Sequence, residues 1–183
     1  MLKRHIIDYS LLVIFAGLII TVDQVTKAIV RAQLPLQGIW SPWPWLTPYA
    51  RIVHWYNTGV AFGMFQGMNG VFIVLAIIVS IAILFYYHRV PRQDWALRLA
   101  MVMQLAGAVG NLIDRVQYGH VTDFISIGNF AVFNVADASI SVGVAILILA
   151  VWIQDMKKKK ETTAVAMPVV PAEKASPGGG EAK

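Results

Sequence analysis

VFIVLAIIVSIAILFYY, residues 71–87, contains no charge, no glycine and no proline. A helix needs about 20 apolar residues to cross roughly 30 Å of hydrocarbon, and this run approaches that length. Working outward, three further stretches have similar character: 10–30, 95–113 and 135–153. Together they predict an all-α polytopic membrane protein with four transmembrane helices. Composition agrees. Hydrophobic residues make up 57% of the 183-residue chain and charged residues 14%, against about 45–50% and about 25% in soluble domains. Composition thus favours a membrane protein over an ordinary soluble domain.

The first stretch follows Lys3 and Arg4, as a secretory signal peptide would, and a weak Val30-x-Ala32 cleavage pattern lies beyond it. Its apolar region is too long for a signal peptide, and Asp23 and Lys27 occupy its far end, so it reads as a retained span. The formal net charge of +5 comes from clusters at Lys3-Arg4, at Arg89 and Arg92, and at Lys157 to Lys160. Each cluster flanks an apolar run. This is a positive-inside distribution, not a nucleic-acid surface, and it places both termini in the cytoplasm. The opposite side then receives two loops, 31–70 and 115–134. The first carries Trp40, Trp43, Trp45, Tyr49, Trp55 and Tyr56, which suit the headgroup level. Residues 51–57 alternate in character and predict a strand ahead of an Asn57-Thr58-Gly59 turn. A small β-rich, aromatic extracytoplasmic region resting on the membrane is the expectation. Residues 1–156 read as the membrane domain. The basic, Ala/Pro/Gly-rich stretch 157–183 reads as a disordered cytoplasmic extension.

Polar residues at membrane depth require a reason, because each charge costs about 2.5–3.5 kcal/mol on insertion scales. Gln104, Gly107, Asn111 and Asp114 share one face of the third helix by their 3-4-3 spacing. Asn134, Asp137 and Ser141 open the fourth, and Asp23 and Lys27 form an i,i+4 pair on the first. In this topology all three groups lie toward the outer ends of their helices. Several have ordinary structural readings. Asn134 is a natural N-cap and Asp137 a first-turn acid. Asp23 with Lys27, and Asp114 with Arg115, are candidate ion pairs. Gly107 and Gly110 favour close helix packing. Asp123, in what reads as an apolar loop (VTDFISI), has no such explanation. Paired with Asp137 it offers two carboxylates sharing a proton, one activating water while the other hydrogen-bonds a peptide carbonyl. No zinc motif and no phosphate loop occurs, and His120 reads as a loop residue. A serine–lysine pair would need Lys27 beside Ser139 or Ser141.

Five strings, in order, resemble the lipoprotein signal peptidase (signal peptidase II) family of membrane aspartyl proteases: DQVTK (23–27), NTGVAFG (57–63), GNLIDR (110–115), VTDF (121–124) and FNVAD (133–137). The resemblance covers roughly residues 8–155. It implies that Asp123 and Asp137 are the catalytic pair. It makes Asn57, Asn111, Arg115 and Asn134 substrate-binding or dyad-supporting groups and gives Asp23 and Asp114 a structural part, the part that pairing and packing already give Lys27, Gly107 and Gly110. The implied substrate is a prolipoprotein with a diacylglyceryl group on its cysteine, cut before that cysteine. The implied setting is the bacterial inner membrane, with the site near the extracytoplasmic face and sensitivity to globomycin-type peptides. No cofactor, metal or nucleic acid is called for, the partners being substrate and membrane lipid, and a monomer is the simplest state. Val60 stands where the family often has Ala, and the segment between Asp123 and Asp137 is shorter than in many members. A proton-coupled transporter using the same carboxylates is the competing reading, although no internal repeat supports it. A non-catalytic assembly factor is a third.

Overall fold

A computed structural model describes residues 2–59 and 64–165. Helix α1 (Leu2–Gln33) is followed by strands β1 (Ile39–Trp40) and β2 (Ala50–Asn57). Then come helices α2 (Asn69–Tyr87) and α3 (Trp95–Tyr118), strand β3 (Val121–Ile127) and helix α4 (Val135–Val165). All four helices are long and apolar enough to cross a membrane. Their outward faces carry exposed aliphatic and aromatic side chains, such as Val74, Ile78, Ile81 and Phe85 on α2. In water such a surface would drive aggregation; in hydrocarbon it is the expected exterior.

The third helix is central, with α1, α2 and α4 all packed along it. Apolar burial is concentrated away from the sheet, where Leu12 and Ala16 of α1 meet Ile83 and Tyr87 of α2 and Val102, Leu105 and Ala106 of α3. Close approach of α4 depends on glycine. A Cβ at Gly107 would run into the Ala136 carbonyl oxygen and come within 2.5 Å of Ile140 Cγ1. At Gly110 it would meet Asp23 Oδ2 at 2.8 Å and Ala136 Cβ at 3.2 Å. With no aqueous hydrophobic effect between spans, backbone proximity of this kind is what holds them.

The strands form one antiparallel sheet in the order β1-β2-β3. Register pairs Trp55 with Asp123, Tyr56 with Thr122 and Asn57 with Val121, with an irregularity between Ile52 and Trp55. Two turns place this sheet over the helix ends. Gly119 adopts the left-handed conformation (φ 75°), and its N–H closes on the Arg115 carbonyl, so α3 stops and β3 begins within three residues. After β3 the chain folds back, Ile125 and Phe133 exchanging backbone hydrogen bonds of 2.8 and 3.0 Å. This return sets Asn134 beside β3.

Three expectations change. The VTDFISI segment is a strand, not a loop. Nearly all of it is buried on both faces, which erases the period-2 pattern by which a strand is read. The third helix extends five residues past 113 to Tyr118. The basic run from 157 does not leave the helix: α4 continues to Val165, helped by an i,i+4 pair, Lys159 to Asp155 at 3.1 Å. Residues 60–63, including Val60, and the tail from 166 lie outside the described residues.

Gly107→Ala should lower the thermal midpoint in detergent, by the equivalent of about 1–3 kcal/mol, because the added methyl meets backbone that cannot retreat. Gly17→Ala, where a Cβ would meet nothing within 4 Å, should be neutral or slightly stabilising. Equal behaviour of the two variants would refute glycine-dependent packing of α3 on α4.

Candidate active site

The site is built on a buried ion cluster. Lys27 is fully buried, as are Asp23 and Asp114. Its ammonium has three hydrogens and three acceptors: Asp23 Oδ2 at 2.8 Å, Asp114 Oδ2 at 3.3 Å and Asn111 Oδ1 at 3.0 Å. The carboxylates then reach further. Asp23 Oδ1 accepts the Ala136 backbone N–H at 2.8 Å, and Asp114 Oδ2 accepts that of Thr122 at 2.9 Å. One cation thus ties α1 to α3 directly, and through its two carboxylates to β3 and to the first turn of α4. Burial of charge is tolerable only when paired and hydrogen-bonded in this way.

Next to the cluster lie Asp123 on β3 and Asp137 on α4, each contacted by asparagines. Asn134 Nδ2 donates to Asp123 Oδ1 at 2.7 Å, and Asn57 Nδ2 donates to Asp123 Oδ2 at 2.9 Å. Asn111 Nδ2 donates to Asp137 Oδ1 at 2.7 Å, and the Asn134 backbone N–H to Asp137 Oδ2 at 3.3 Å. Each carboxylate oxygen therefore holds one donor and keeps lone-pair capacity for another.

An amide side chain could present either end, but here the choice is forced. The oxygen of Asn111 accepts from Lys27, that of Asn57 from the Gly59 N–H at 2.9 Å, and that of Asn134 from the Asp137 N–H at 2.9 Å. All three partners are donors only, so every NH2 must face a carboxylate. Asn134 is at the same time the cap of α4, which anchors Asp137 in the first turn.

Burial, and after it the negative charge of Asp137, pushes the Asp123 carboxyl up to about 7, against the hydrogen bonds from Asn57 and Asn134. Raised this far, the Asp123 carboxyl is partly protonated near neutral pH.

Arg115 corrects one expectation. Consecutive helical residues point about 100° apart, and Asp114 turns to Lys27 and to Arg31 Nη1 at 3.7 Å. Arg115 turns to the other side, donating from Nη2 to the Gly59 carbonyl at 3.1 Å while its guanidinium sits 5.2 Å from the Phe72 ring centre. The serine–lysine alternative fails on geometry. Lys27 has spent its hydrogens, and Ser139 donates to the Met103 carbonyl at 2.8 Å. His120 packs against the Tyr56 ring at 3.7 Å between centres, and burial lowers its pKa.

Three participants were given no role from the sequence, although Gln24 and Thr122 stand within the strings DQVTK and VTDF. Gln24 Nε2 lies 3.1 Å from Asp23 Oδ2, 3.0 Å from the Gly110 carbonyl and 3.2 Å from Asp114 Oδ1. Arg31 Nη1 donates to Thr122 Oγ1 at 3.0 Å. The signal for Arg31 was present, since 23, 27 and 31 repeat at i,i+4 along one face. The string VTDF marked the position of Thr122 but not its role, which depends on β3 being a strand.

Beside the aspartates opens a cavity of about 610 Å³ between α2, α3 and α4. Asn57, Asn111, Arg115 and Asp137 line it, with Phe72, Leu75, Val79 and Phe133 supplying apolar walls.

Comparison with known proteins agrees with this architecture. The family model for signal peptidase (SPase) II matches residues 15–153. The lipoprotein signal peptidase of Mesorhizobium japonicum is 39% identical over 145 residues, covering 76% of this chain and 82% of the relative. That of Streptococcus pneumoniae is 34% identical over 152 residues, covering 82% and 94%. A bacterial membrane enzyme solved by the in meso method at 2.3 Å superposes with a TM-score of 0.75 at 31% identity, covering 83% of this chain and 93% of that one. The chain belongs to the signal peptidase II family.

Two outcomes are expected. Lys27→Met strands two buried carboxylates and should destabilise the protein by about 3–5 kcal/mol in detergent unfolding. For Asp123 the sign follows from linkage. Its pKa is higher folded than unfolded, so the folded state holds the proton more tightly, and the stability present at low pH is lost as pH rises from about 4 to about 7. The melting temperature should therefore fall between pH 5 and pH 8, and Asp123→Asn should flatten most of that slope. A slope of opposite sign would contradict the raised Asp123.

Proposed function

We propose that this signal peptidase II family member removes the signal peptide from diacylglyceryl-modified prolipoproteins, cutting before the lipid-bearing cysteine with water activated by Asp123 and Asp137. The observation that carries this reading is two carboxyls from different elements, oriented by three asparagines, with Asp137 and two of those asparagines, Asn57 and Asn111, lining an apolar cavity. A lipid-bearing peptide needs both a wet catalytic edge and an apolar recess, and the cavity supplies them side by side.

In the proposed reaction the ionised carboxyl removes a proton from water as the oxygen attacks the scissile carbonyl. The protonated carboxyl donates to the carbonyl oxygen, producing a neutral tetrahedral diol without a covalent enzyme intermediate. Collapse breaks the C–N bond as a proton passes to the leaving cysteine nitrogen, and the pair returns to its starting state. Asn57, Asn111 and Asn134 hold the carboxyls in place; Arg115, on the cavity wall, orients the peptide. Asp23, Lys27 and Asp114 support this layer structurally. The orientation with both termini cytoplasmic puts the catalytic edge at the extracytoplasmic surface, where secreted prolipoproteins arrive.

The test is cleavage of a diacylglyceryl-modified prolipoprotein in detergent. Asp123→Asn and Asp137→Asn should each reduce kcat by about 10³-fold or more while keeping a cooperative thermal transition. Substantial turnover in either variant would remove that residue from the chemistry.

A further inference from the structure

One polar group on the cavity wall has no part in the mechanism above. Gln104 shares the face of α3 that carries Asn111, seven residues deeper, or about 10 Å along the axis. It lines the cavity, as does Ser141 on α4. Gln104 is half-buried, and among the described residues its amide has no hydrogen-bond partner. The fold makes room for its stem: a Cβ at Gly143 would sit 3.2 Å from Gln104 Cγ. Near the middle of a span, an amide without a partner is expensive. An aliphatic side chain would fill the position without that cost.

We infer that Gln104 is a specificity-determining residue whose amide donates to an ester carbonyl of the substrate's diacylglyceryl group. The inference rests on the peptidase reading and deepens it. From the scissile carbonyl carbon, through the cysteine side chain and the thioether to the carbonyl oxygen of the nearer ester, there are nine bonds. That is the backbone length of three residues, about 10 Å when extended. With the scissile bond at Asp123 and Asp137 and the lipid descending into the cavity, this oxygen reaches the level of Gln104. Leu75, Val79, Ile140 and Val142 give the cavity apolar wall for the acyl chains. An ester carbonyl accepts and cannot donate, which suits the NH2 end of the amide.

The experiment compares two synthetic prolipoprotein substrates, one with ester-linked acyl chains and one with ether-linked alkyl chains of equal length. Both are cleaved in maltoside micelles, which contribute no competing esters. The wild-type protein should prefer the diester by about five- to tenfold in kcat/KM, mostly through KM, the size expected of one buried hydrogen bond. Gln104→Met keeps the length and loses the amide, so the diester-to-diether ratio should fall to about one. Its melting temperature shows that the fold is retained, and Gln104→Leu provides a second variant with the same expectation. A wild-type protein that cleaves both substrates equally, or a ratio unchanged in both variants, overturns this inference and leaves the peptidase reading standing. Failure of the wild type to cleave either substrate overturns both.

Discussion

Lys27 is the residue on which the rest of the polar structure depends. A buried ammonium has no tolerable state other than full satisfaction, and its three hydrogens are matched by Asp23, Asp114 and Asn111. Because each acceptor has its own further contacts, the demand propagates. Asp23 reaches the first turn of α4 and Asp114 reaches the backbone of β3. The orientation of Asn111 follows, since its oxygen must face the lysine, and its NH2 is then directed at Asp137. A charge that is costly in a membrane thus becomes the point from which the geometry of an aspartate one helix away is set.

The same device recurs at both other asparagines. A backbone N–H takes the oxygen of Asn57 and another takes the oxygen of Asn134, leaving two amino groups for Asp123. Donor-only partners remove the ambiguity an amide would otherwise carry. The carboxyls are therefore held by neutral donors rather than by cations. This is consistent with an elevated Asp123: hydrogen bonds from Asn57 and Asn134 only partly offset burial and the charge of Asp137. A lysine or arginine in those places would hold both carboxyls ionised at neutral pH. The nearest cations point elsewhere, Lys27 into its own cluster and Arg115 to the Gly59 carbonyl.

Position relative to the bilayer completes the picture. The helices bury their apolar contacts on the side away from the sheet, while the polar layer and the cavity occupy the other half. Gly107 and Gly110 let α4 and Asp23 approach α3 closely enough for the hydrogen bonds to form. Packing and chemistry thus share one helix: Gly107 and Gly110 bring the backbones together, and Asn111 and Asp114, which carry the polar contacts, follow them.

The sequence by itself determined the four spans, because hydropathy and charge placement are local properties that no distant contact alters. It also determined which polar residues needed an explanation, and the i,i+4 pairing of Asp23 with Lys27. What it left open were relations between segments far apart in the chain. The strand status of 121–127 was hidden because both faces are buried, which removes the alternation. Asp114 reads as the partner of its neighbour Arg115, yet its cations come from a helix more than 80 positions earlier. The meeting of Asp123 with Asp137 rests on a left-handed Gly119 and on the return of Phe133 to Ile125. Those are matters of chain reversal and packing. Only the tertiary structure decides them, because a carboxylate at membrane depth pairs with whatever donor the fold brings to it, wherever that donor stands in the chain.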